Sequence, residues 1–328
     1  MRCVLVGNYG VGNLGDEALR EYMLGAFPEV EWLVLSANPR STEYARLPIG
    51  IRSFFGLRWL RTLGAFIRSD TLVFGGGTLF TDIESPVACW LWGLHAFTIW
   101  ILRRPYALAF QGIGPFRTWM GERIARWVVC RATFISVRDH ASFERLAGWH
   151  KSTKIVRTFD PVFSLFLSQK NDIRLKNVFT IIPRHNSGDL FIQTCVEMME
   201  KQHPETIRIV TMQPDDLEER HCIQHLQNMF PAAVVLEARG ISSLLSFVQS
   251  SSFVVTERYH GALAAMAMCV PVCIVSQGMG DKLSELVPFA SIPDAGREVL
   301  LSSVRTGEEE LRVFFHVTNL PLFPRRHD

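Results

Sequence analysis

The fold turns on residues 252–268, Ser252-Phe-Val-Val-Thr-Glu-Arg-Tyr-His-Gly-Ala-Leu-Ala-Ala-Met-Ala-Met268. The opening run is β-branched and aromatic, as in a short buried strand, and the closing run is Ala, Leu and Met, which favour helix. Between them stand Arg258, Tyr259 and His260, so a cation and an imidazole lie where a strand ends and a helix begins. In open parallel sheets that edge is where ligands bind, and a helix N-terminus there favours anions. The plainer alternative is a capping histidine beside a surface arginine.

Working outward, the same strand-then-helix alternation fills the chain. Strands are predicted at 2–7, 31–36, 70–75, 105–110 and 132–137, and helices at 15–26, 57–68, 85–102, 118–130 and 139–147. The polar stretch from Ser164 to Lys176 lacks a clear period and marks a domain boundary. Beyond it, strands are predicted at 178–182, 207–212, 232–236, 252–256 and 271–275. The helices between and after them are 187–202, 215–229, 241–250, 260–268 and 281–287. Such alternation implies parallel sheets with helices on both faces. The expected fold is α/β, with two Rossmann-like domains facing a cleft. They are an N-terminal domain over 1–165, a C-terminal domain over 176–300, and a C-terminal helix and tail over 301–328. The helix of that last segment is expected at Glu308 to Leu322, and the final residues from Pro324 are expected to be loose.

Bulk properties set limits. The chain has 328 residues, 48% apolar and 20% charged, which describes a folded globular protein. A formal net charge of +2 gives no global field for nucleic acid, although Arg103, Arg104, Arg117, Arg123, Arg126, Arg131 and Arg138 crowd one region. The seven cysteines are scattered and form no C-x-x-C pair, which suggests buried free thiols in a reducing, cytoplasmic compartment. The N-terminus reads as a first strand and not as a signal peptide. Residues 87–102 carry no formal charge but are short for a membrane span, which needs about 20 residues. They are expected to form a buried helix. The alternative is partial exposure at a membrane interface, with Trp90, Trp92 and Trp100 beside the arginines. His95, inside that run, is expected to be a satisfied core residue.

The glycine motifs follow strands. Gly7-Asn-Tyr-Gly10-Val-Gly12-Asn-Leu-Gly15-Asp16-Glu17 formally contains G-x-G-x-x-G, yet the acidic ribose contact at the end of the second strand is missing, and Asp16 and Glu17 would repel a pyrophosphate. A tight turn presenting Asn13 and Asp16 to a polyol is the better reading. In Gly75-Gly76-Gly77-Thr78-Leu79-Phe80-Thr81-Asp82, glycines such as Gly76 let a substrate approach the backbone. Asp82 either orients sugar hydroxyls or starts the next helix. Arg138, Arg184 and Arg258 each end a strand. Together they suggest an anionic ligand, because the guanidinium fork binds phosphate and carboxylate bidentately. The ten histidines form no recognisable ligand set, so no metal and no cofactor are expected.

In order and spacing, Gly7–Glu17, Gly75–Asp82, Gln111-Gly-Ile-Gly-Pro115, Ser136-Val-Arg-Asp-His-Ala-Ser142, Asp160-Pro-Val-Phe163 and Arg258-Tyr-His-Gly-Ala-Leu263 resemble the polysaccharide pyruvyl transferase family. That resemblance implies a glycosyltransferase-B-like fold with an acceptor-side and a donor-side domain. It also implies transfer of pyruvate from phosphoenolpyruvate, a co-substrate, to two hydroxyls of a cell-surface glycan sugar as a cyclic ketal, with release of phosphate. On the matching positions His260 becomes the general acid and Asp16 the base or hydroxyl orienter, with Arg258, Arg138 and Arg184 holding the donor. Two departures stand out. Tyr259 replaces the Leu often found between the Arg and the His, and Ser276–Lys282 replaces the family's usual aromatic-acid-proline stretch, leaving Lys282 as a further cation for the substrate. The implied partners are phosphoenolpyruvate and a saccharide acceptor on a polyprenyl-diphosphate lipid, with peripheral contact at the inner face of the membrane and no nucleic acid. Two other readings stay open: a nucleotide-sugar-dependent glycosyltransferase of the same fold, with Glu257 as its ribose contact, and a non-catalytic glycan-binding protein.

Overall fold

Twelve short runs of the described chain could lie beside one another in many orders, and parallel pairing selects two sheets from them. A computed structural model describes residues 1–83, 85–149, 154–169, 177–277, 282–290 and 293–319. The chain divides into two units. The first comprises Met1–Val11, Leu19–Asp160 and the chain from Ser303 onward, and the second comprises Gly12–Ala18 and Pro161–Ser302.

The first unit holds β1 (Arg2–Val6), most of α1 (Leu14–Ala26), β2 (Glu31–Ser36), β3 (Tyr44–Ala45), α2 (Ile51–Phe55), α3 (Arg58–Arg68) and β4 (Thr71–Phe80). It continues with α4 (Ala88–Ile101), β5 (Tyr106–Ile113), α5 (Trp119–Val129), β6 (Phe134–Val137), α6 (His140–Ala147) and β7 (Ile155–Arg157). Its strands form one seven-stranded sheet in the order β3-β2-β1-β4-β5-β6-β7, and the pairings are parallel. Strand direction of travel reverses between β1 and β4, the position where doubly wound sheets open a crevice at their carboxyl ends.

Alternation along the strands divides the core. Val4, Val6, Leu72, Phe74 and Leu108 pack with Phe66 of α3, Trp92 and Ile99 of α4 and Val128 of α5. The other face meets α1 and the last helix: Tyr22 stacks edge-on against Phe110 at 5.8 Å, and Phe27 against Phe315 at 5.5 Å.

The second unit holds α7 (Val162–Ser168), β8 (Val178–Ile182), α8 (Asp189–Gln202), β9 (Thr206–Thr211), α9 (Leu217–Met229), β10 (Val234–Glu237) and α10 (Ile241–Gln249). After these come β11 (Phe253–Thr256), α11 (Tyr259–Ala267), β12 (Val272–Ile274), a 3-10 turn (Lys282–Glu285), α12 (Val287–Ala290) and the first part of α13 (Pro293–Asn319). The five-stranded sheet runs β10-β9-β8-β11-β12, again parallel. Its switch point lies between β8 and β11, which end side by side with Ile182 opposite Thr256. Phe179, Ile181, Phe191, Ile209 and Val255 centre its core.

Several expectations are corrected. The strand of the glycine motif continues to Phe80 instead of ending at 75, and the next continues to Ile113. The polar boundary opens with helix α7, whereas 170–176 lie outside the described residues. The 85–102 helix is half-buried. Cys89, Trp92, His95, Ala96 and Ile99 face inward, while Trp90, Phe97, Trp100 and Ile101 are exposed. The last helix starts at Pro293, well before 308, with proline at its first position, where a missing N–H costs nothing. Residues 320–328, including the expected loose end, lie outside the described residues.

Helix α13 contains a glycine in its interior, Gly307, because the helix passes close to the sheet there. A Cβ at that position would stand 2.6 Å from both Phe110 Cε1 and Thr158 Cγ2. Gly307→Ala is therefore expected to destabilise the protein by about 1–3 kcal/mol through overpacking, despite the helix propensity gained. Chemical denaturation checks this, and an unchanged or raised midpoint would show that α13 can shift outward freely.

Candidate functional site

The corner between β11 and α11 is built by hydrogen bonds that its own sequence supplies. Thr256 Oγ1 donates to Ile182 O at 3.1 Å and accepts from Arg258 N at 2.9 Å, so the chain leaves the sheet under control of the neighbouring strand. Arg258 takes the extended N-cap position of α11. Its Nε donates to Pro183 O and its Nη2 to Gln213 Oε1, both at 3.1 Å, and the guanidinium pairs with the carboxylate of Glu219. Glu219 is fully buried and accepts from Thr211 Oγ1 at 2.7 Å, Met212 N at 2.8 Å and Gln213 N at 3.0 Å. A buried carboxylate with that many donors is held as the anion, and it fixes the direction of the arginine.

His260 follows in the first turn of α11. Its imidazole lies directly over the backbone of Gly15. A Cβ built on Gly15 would come within 2.1 Å of His260 Cε1 and 2.2 Å of Nδ1, so a larger residue there would displace the ring. The segment Gly12–Ala18, which groups with this second unit, thereby brings Asn13 and Asp16 to the His260 corner. Asn13 starts helix α1: its Oδ1 accepts from Gly15 N at 3.0 Å, and its backbone carbonyl accepts from Glu17 N at 3.1 Å. Asp16 sits half-buried in that same first turn.

The loop after β8 is tied to the same corner. Arg184 N donates to Ser187 Oγ at 2.8 Å, and Ser187 Oγ donates to the buried carboxylate of Glu257. Gln277 Nε2 reaches the same oxygen at 3.3 Å and exchanges a pair of 3.1 Å hydrogen bonds with Asn186. The Arg184 side chain is carried half-buried on this loop. Lys282 opens the 3-10 turn, and residues 278–281 of the divergent stretch lie outside the described residues.

In the first unit the sequence motifs converge on a buried cluster. Arg138 forms an ion pair with Asp160, both essentially buried, and its Nη2 donates to Thr78 Oγ1 at 3.0 Å. Arg138 N donates to Gln111 O at 3.2 Å, which joins a fourth motif to the cluster. Arg138, expected to hold an anionic ligand, has its charge matched by the Asp160 carboxylate. Gly76 lies buried inside β4 beneath Leu19 and presents no backbone to a substrate.

Asp82, expected to orient sugar hydroxyls or start the next helix, anchors the loop before α5. Its oxygens accept from Arg117 N at 2.5 Å, Thr118 N at 2.9 Å and the Thr118 hydroxyl, tying down the approach to α5. Burial works against its ionisation, but these hydrogen bonds win and hold its carboxyl below the usual range. Asp139 caps α6 by accepting from Ser142 N at 2.7 Å. Among the described residues no group of three or more His, Cys, Asp and Glu could hold a metal ion.

His95 is satisfied in the core, with Leu47 N donating to Nε2 at 3.1 Å and Nδ1 donating to Leu91 O at 2.7 Å. Burial, assisted by Arg46, pushes its pKa down to about 4.

What sequence reasoning missed is the pairing. Glu219 lies in the first turn of α9, and nothing local links it to Arg258. Asp160 belonged to a quoted motif, but its partner could not be read from it.

Residues 13–278 match the model of a family described as polysaccharide pyruvyl transferase. No curated protein sequence matches. Similar solved structures include HepE (Alr3699) of Anabaena in complex with UDP, at 12% identity and a TM-score of 0.60 over 97% of this chain and 100% of that one. They also include the UDP-GlcNAc 2-epimerase of Methanocaldococcus jannaschii, at 13% identity and a TM-score of 0.62 over 96% and 100%. The UDP-GlcNAc 2-epimerase of Neisseria meningitidis bound to UDP-GlcNAc matches at 12% and 0.58 over 96% and 92%. At these identities the likeness is one of fold, and the fold is glycosyltransferase-B-like.

Two outcomes follow from this geometry. Glu219→Gln keeps the shape but leaves Arg258 without its counter-charge, so a stability loss of about 3–5 kcal/mol is expected in urea unfolding; a loss under about 1 kcal/mol would mean the pair does not fix the corner. For His95, an unfolded pKa near the ordinary 6.5 lies above the folded one. Its neutral form therefore supports stability above pH ~6.5, and that support is lost as pH falls towards 4, by about 2–3 kcal/mol at pH ~4.5. His95→Gln should flatten this part of the stability–pH profile, whereas an unaltered slope would remove His95 as its source.

Proposed function

The chain belongs to the polysaccharide pyruvyl transferase family, and on that premise we propose that it transfers pyruvate from phosphoenolpyruvate to two hydroxyls of a saccharide, forming a cyclic ketal and releasing phosphate. The observation that carries this reading is the His260 imidazole lying against the Gly15 turn, beside a guanidinium oriented from the protein interior.

The chemistry needs a proton donated to the methylene carbon of the enol phosphate, which makes the adjacent carbon electrophilic. His260, whose side-chain type titrates near neutrality, is the donor. One sugar hydroxyl attacks that carbon and gives its proton to Asp16. The carbon–oxygen bond to phosphate breaks, phosphate departs with the electron pair, and the second hydroxyl closes the ring as its proton passes to the now neutral His260, which restores the acid. Arg258 is matched by Glu219, so its part is a directed hydrogen-bond donor to the donor substrate more than a bare positive charge. Arg184 and Lys282 supply the further cations for carboxylate and phosphate, stabilising charge as it develops on the leaving group. Asn13 holds the turn that carries Asp16. The acceptor fitting this family is a growing cell-envelope glycan, carried on a polyprenyl-diphosphate lipid at the inner face of the membrane.

A nucleotide-sugar donor is the second reading, favoured by the fold shared with HepE, which was solved in complex with UDP-glucose. Thermal unfolding with phosphoenolpyruvate and, separately, with UDP-glucose separates the two. The favoured ligand at a hundredfold excess over its Kd raises stability by about 2.7 kcal/mol. Stabilisation by phosphoenolpyruvate, with phosphate release on adding acceptor that falls about 100-fold or more in His260→Asn at unchanged Tm, supports pyruvyl transfer. Stabilisation by UDP-glucose alone overturns it.

A further inference from the structure

Helix α4 is anchored by one face and bare on the other. Cys89, Trp92, His95 and Ile99 are buried in the core of the first unit, yet Trp100 is 45% exposed, Phe97 44% and Ile101 57%. These side chains do not stand alone. Phe97, Trp100 and Trp127 of α5 form a ring cluster with centroids 5.7–6.0 Å apart. Arg131 lies over both indoles, 5.6 Å from Trp100 and 4.6 Å from Trp127. At the end of α3, exposed Ile67 and Arg68 adjoin the patch, and Arg104 Nη2 donates to Ile67 O at 3.1 Å, joining the two helix ends.

The charge on this surface is predominantly positive. Helices α3 and α4 contain no acidic residue, and Glu122, in the first turn of α5, is the acid of that helix. Arg68, Arg103, Arg126 and Arg131 are exposed around the cluster.

We propose that the end of the α3–α4–α5 face formed by Phe97, Trp100, Ile101, Arg103, Arg126 and Arg131 docks on an anionic lipid bilayer. The inference rests on surface chemistry alone and does not depend on the pyruvyl transfer reading. Indole rings settle at the headgroup level because one edge is apolar and the other carries an N–H. Arginine stacked on those rings keeps its charge facing the same layer, where lipid phosphates carry the opposite sign. A second copy of the chain is a poor occupant, because a two-fold interface would set this basic surface against itself. The contact lies on the bilayer and does not cross it: among the described residues no helix is long and apolar enough to span.

The test is co-sedimentation of the full chain with vesicles of phosphatidylglycerol and phosphatidylcholine, against vesicles of phosphatidylcholine alone. Binding to the anionic vesicles is expected at low salt and should weaken as salt screens the arginines. Two double variants probe the face, Trp100→Ser with Ile101→Ser, and Arg103→Glu with Arg126→Glu. Each is expected to bind at least tenfold more weakly than the parent at an unchanged Tm, because each alters exposed side chains. Failure of the parent to bind anionic vesicles at low salt overturns the proposal, as does full binding by both variants. A parent that sediments as a dimer, and becomes a monomer with Trp100→Ser and Ile101→Ser, assigns the face to a second copy and overturns it too.

Discussion

An arginine at the end of a parallel strand keeps its charge, and burying that charge is tolerated only where the interior supplies a counter-charge. Both units meet this constraint in the same manner. Arg138 leaves β6 and meets Asp160 from the end of the neighbouring strand, and Arg258 leaves β11 and meets Glu219 from the start of α9. Each carboxylate is completely buried. Much of the local structure is organised around those two anions: the turn after β9 donates its N–H groups to Glu219, and Thr78 of the glycine strand completes the shell of Arg138. The ion pairs are therefore the means by which loops after several strands acquire a shared geometry.

The two pairs differ in what they leave open. Arg138 is sealed, so the first-unit cluster is a brace for the strand ends. Arg258 retains some exposure, with 16% of its side chain accessible, and its immediate neighbour in the chain is Tyr259, then His260. The second unit thus couples a rigid, charge-balanced support to a half-buried imidazole. The ring itself is held between the first turn of α11 and the Gly15 turn.

The two-sheet plan was legible because it is written locally. Runs such as 178–182 and 252–256 carry β-branched residues at strand length, and the helices between them announce themselves by composition. The ends of elements were less legible. Glycines at 75–77 signalled a loop, yet parallel pairing with β5 carries the strand on to Phe80, since backbone hydrogen bonding to a neighbour outweighs weak intrinsic propensity. Helix α13 was hidden by Gly296 and Gly307, whose low propensity is offset by contact with other elements. Within the candidate site, the strand-to-helix placement of Arg258 and His260 and the helix-start placement of Asp16 could be read from chain position alone. Glu219 could not, because a pairing across the sheet leaves no mark on nearby residues. Asp82 and Gly76 show how residue types suited to sugar binding also serve packing and loop anchoring.

The close approach of Gly15 to His260 also has a consequence for descent. A glycine in a turn is usually read as a backbone requirement, and its retention among relatives as a sign of the turn. Here the space is taken by an imidazole contributed from far along the chain. Position 15 cannot accept a side chain while the ring keeps this place, and it is released once the histidine is replaced by something smaller. The two positions therefore constrain each other, so in a lineage where this corner falls out of use, drift at residue 15 should follow the loss of the ring and leave a record of it.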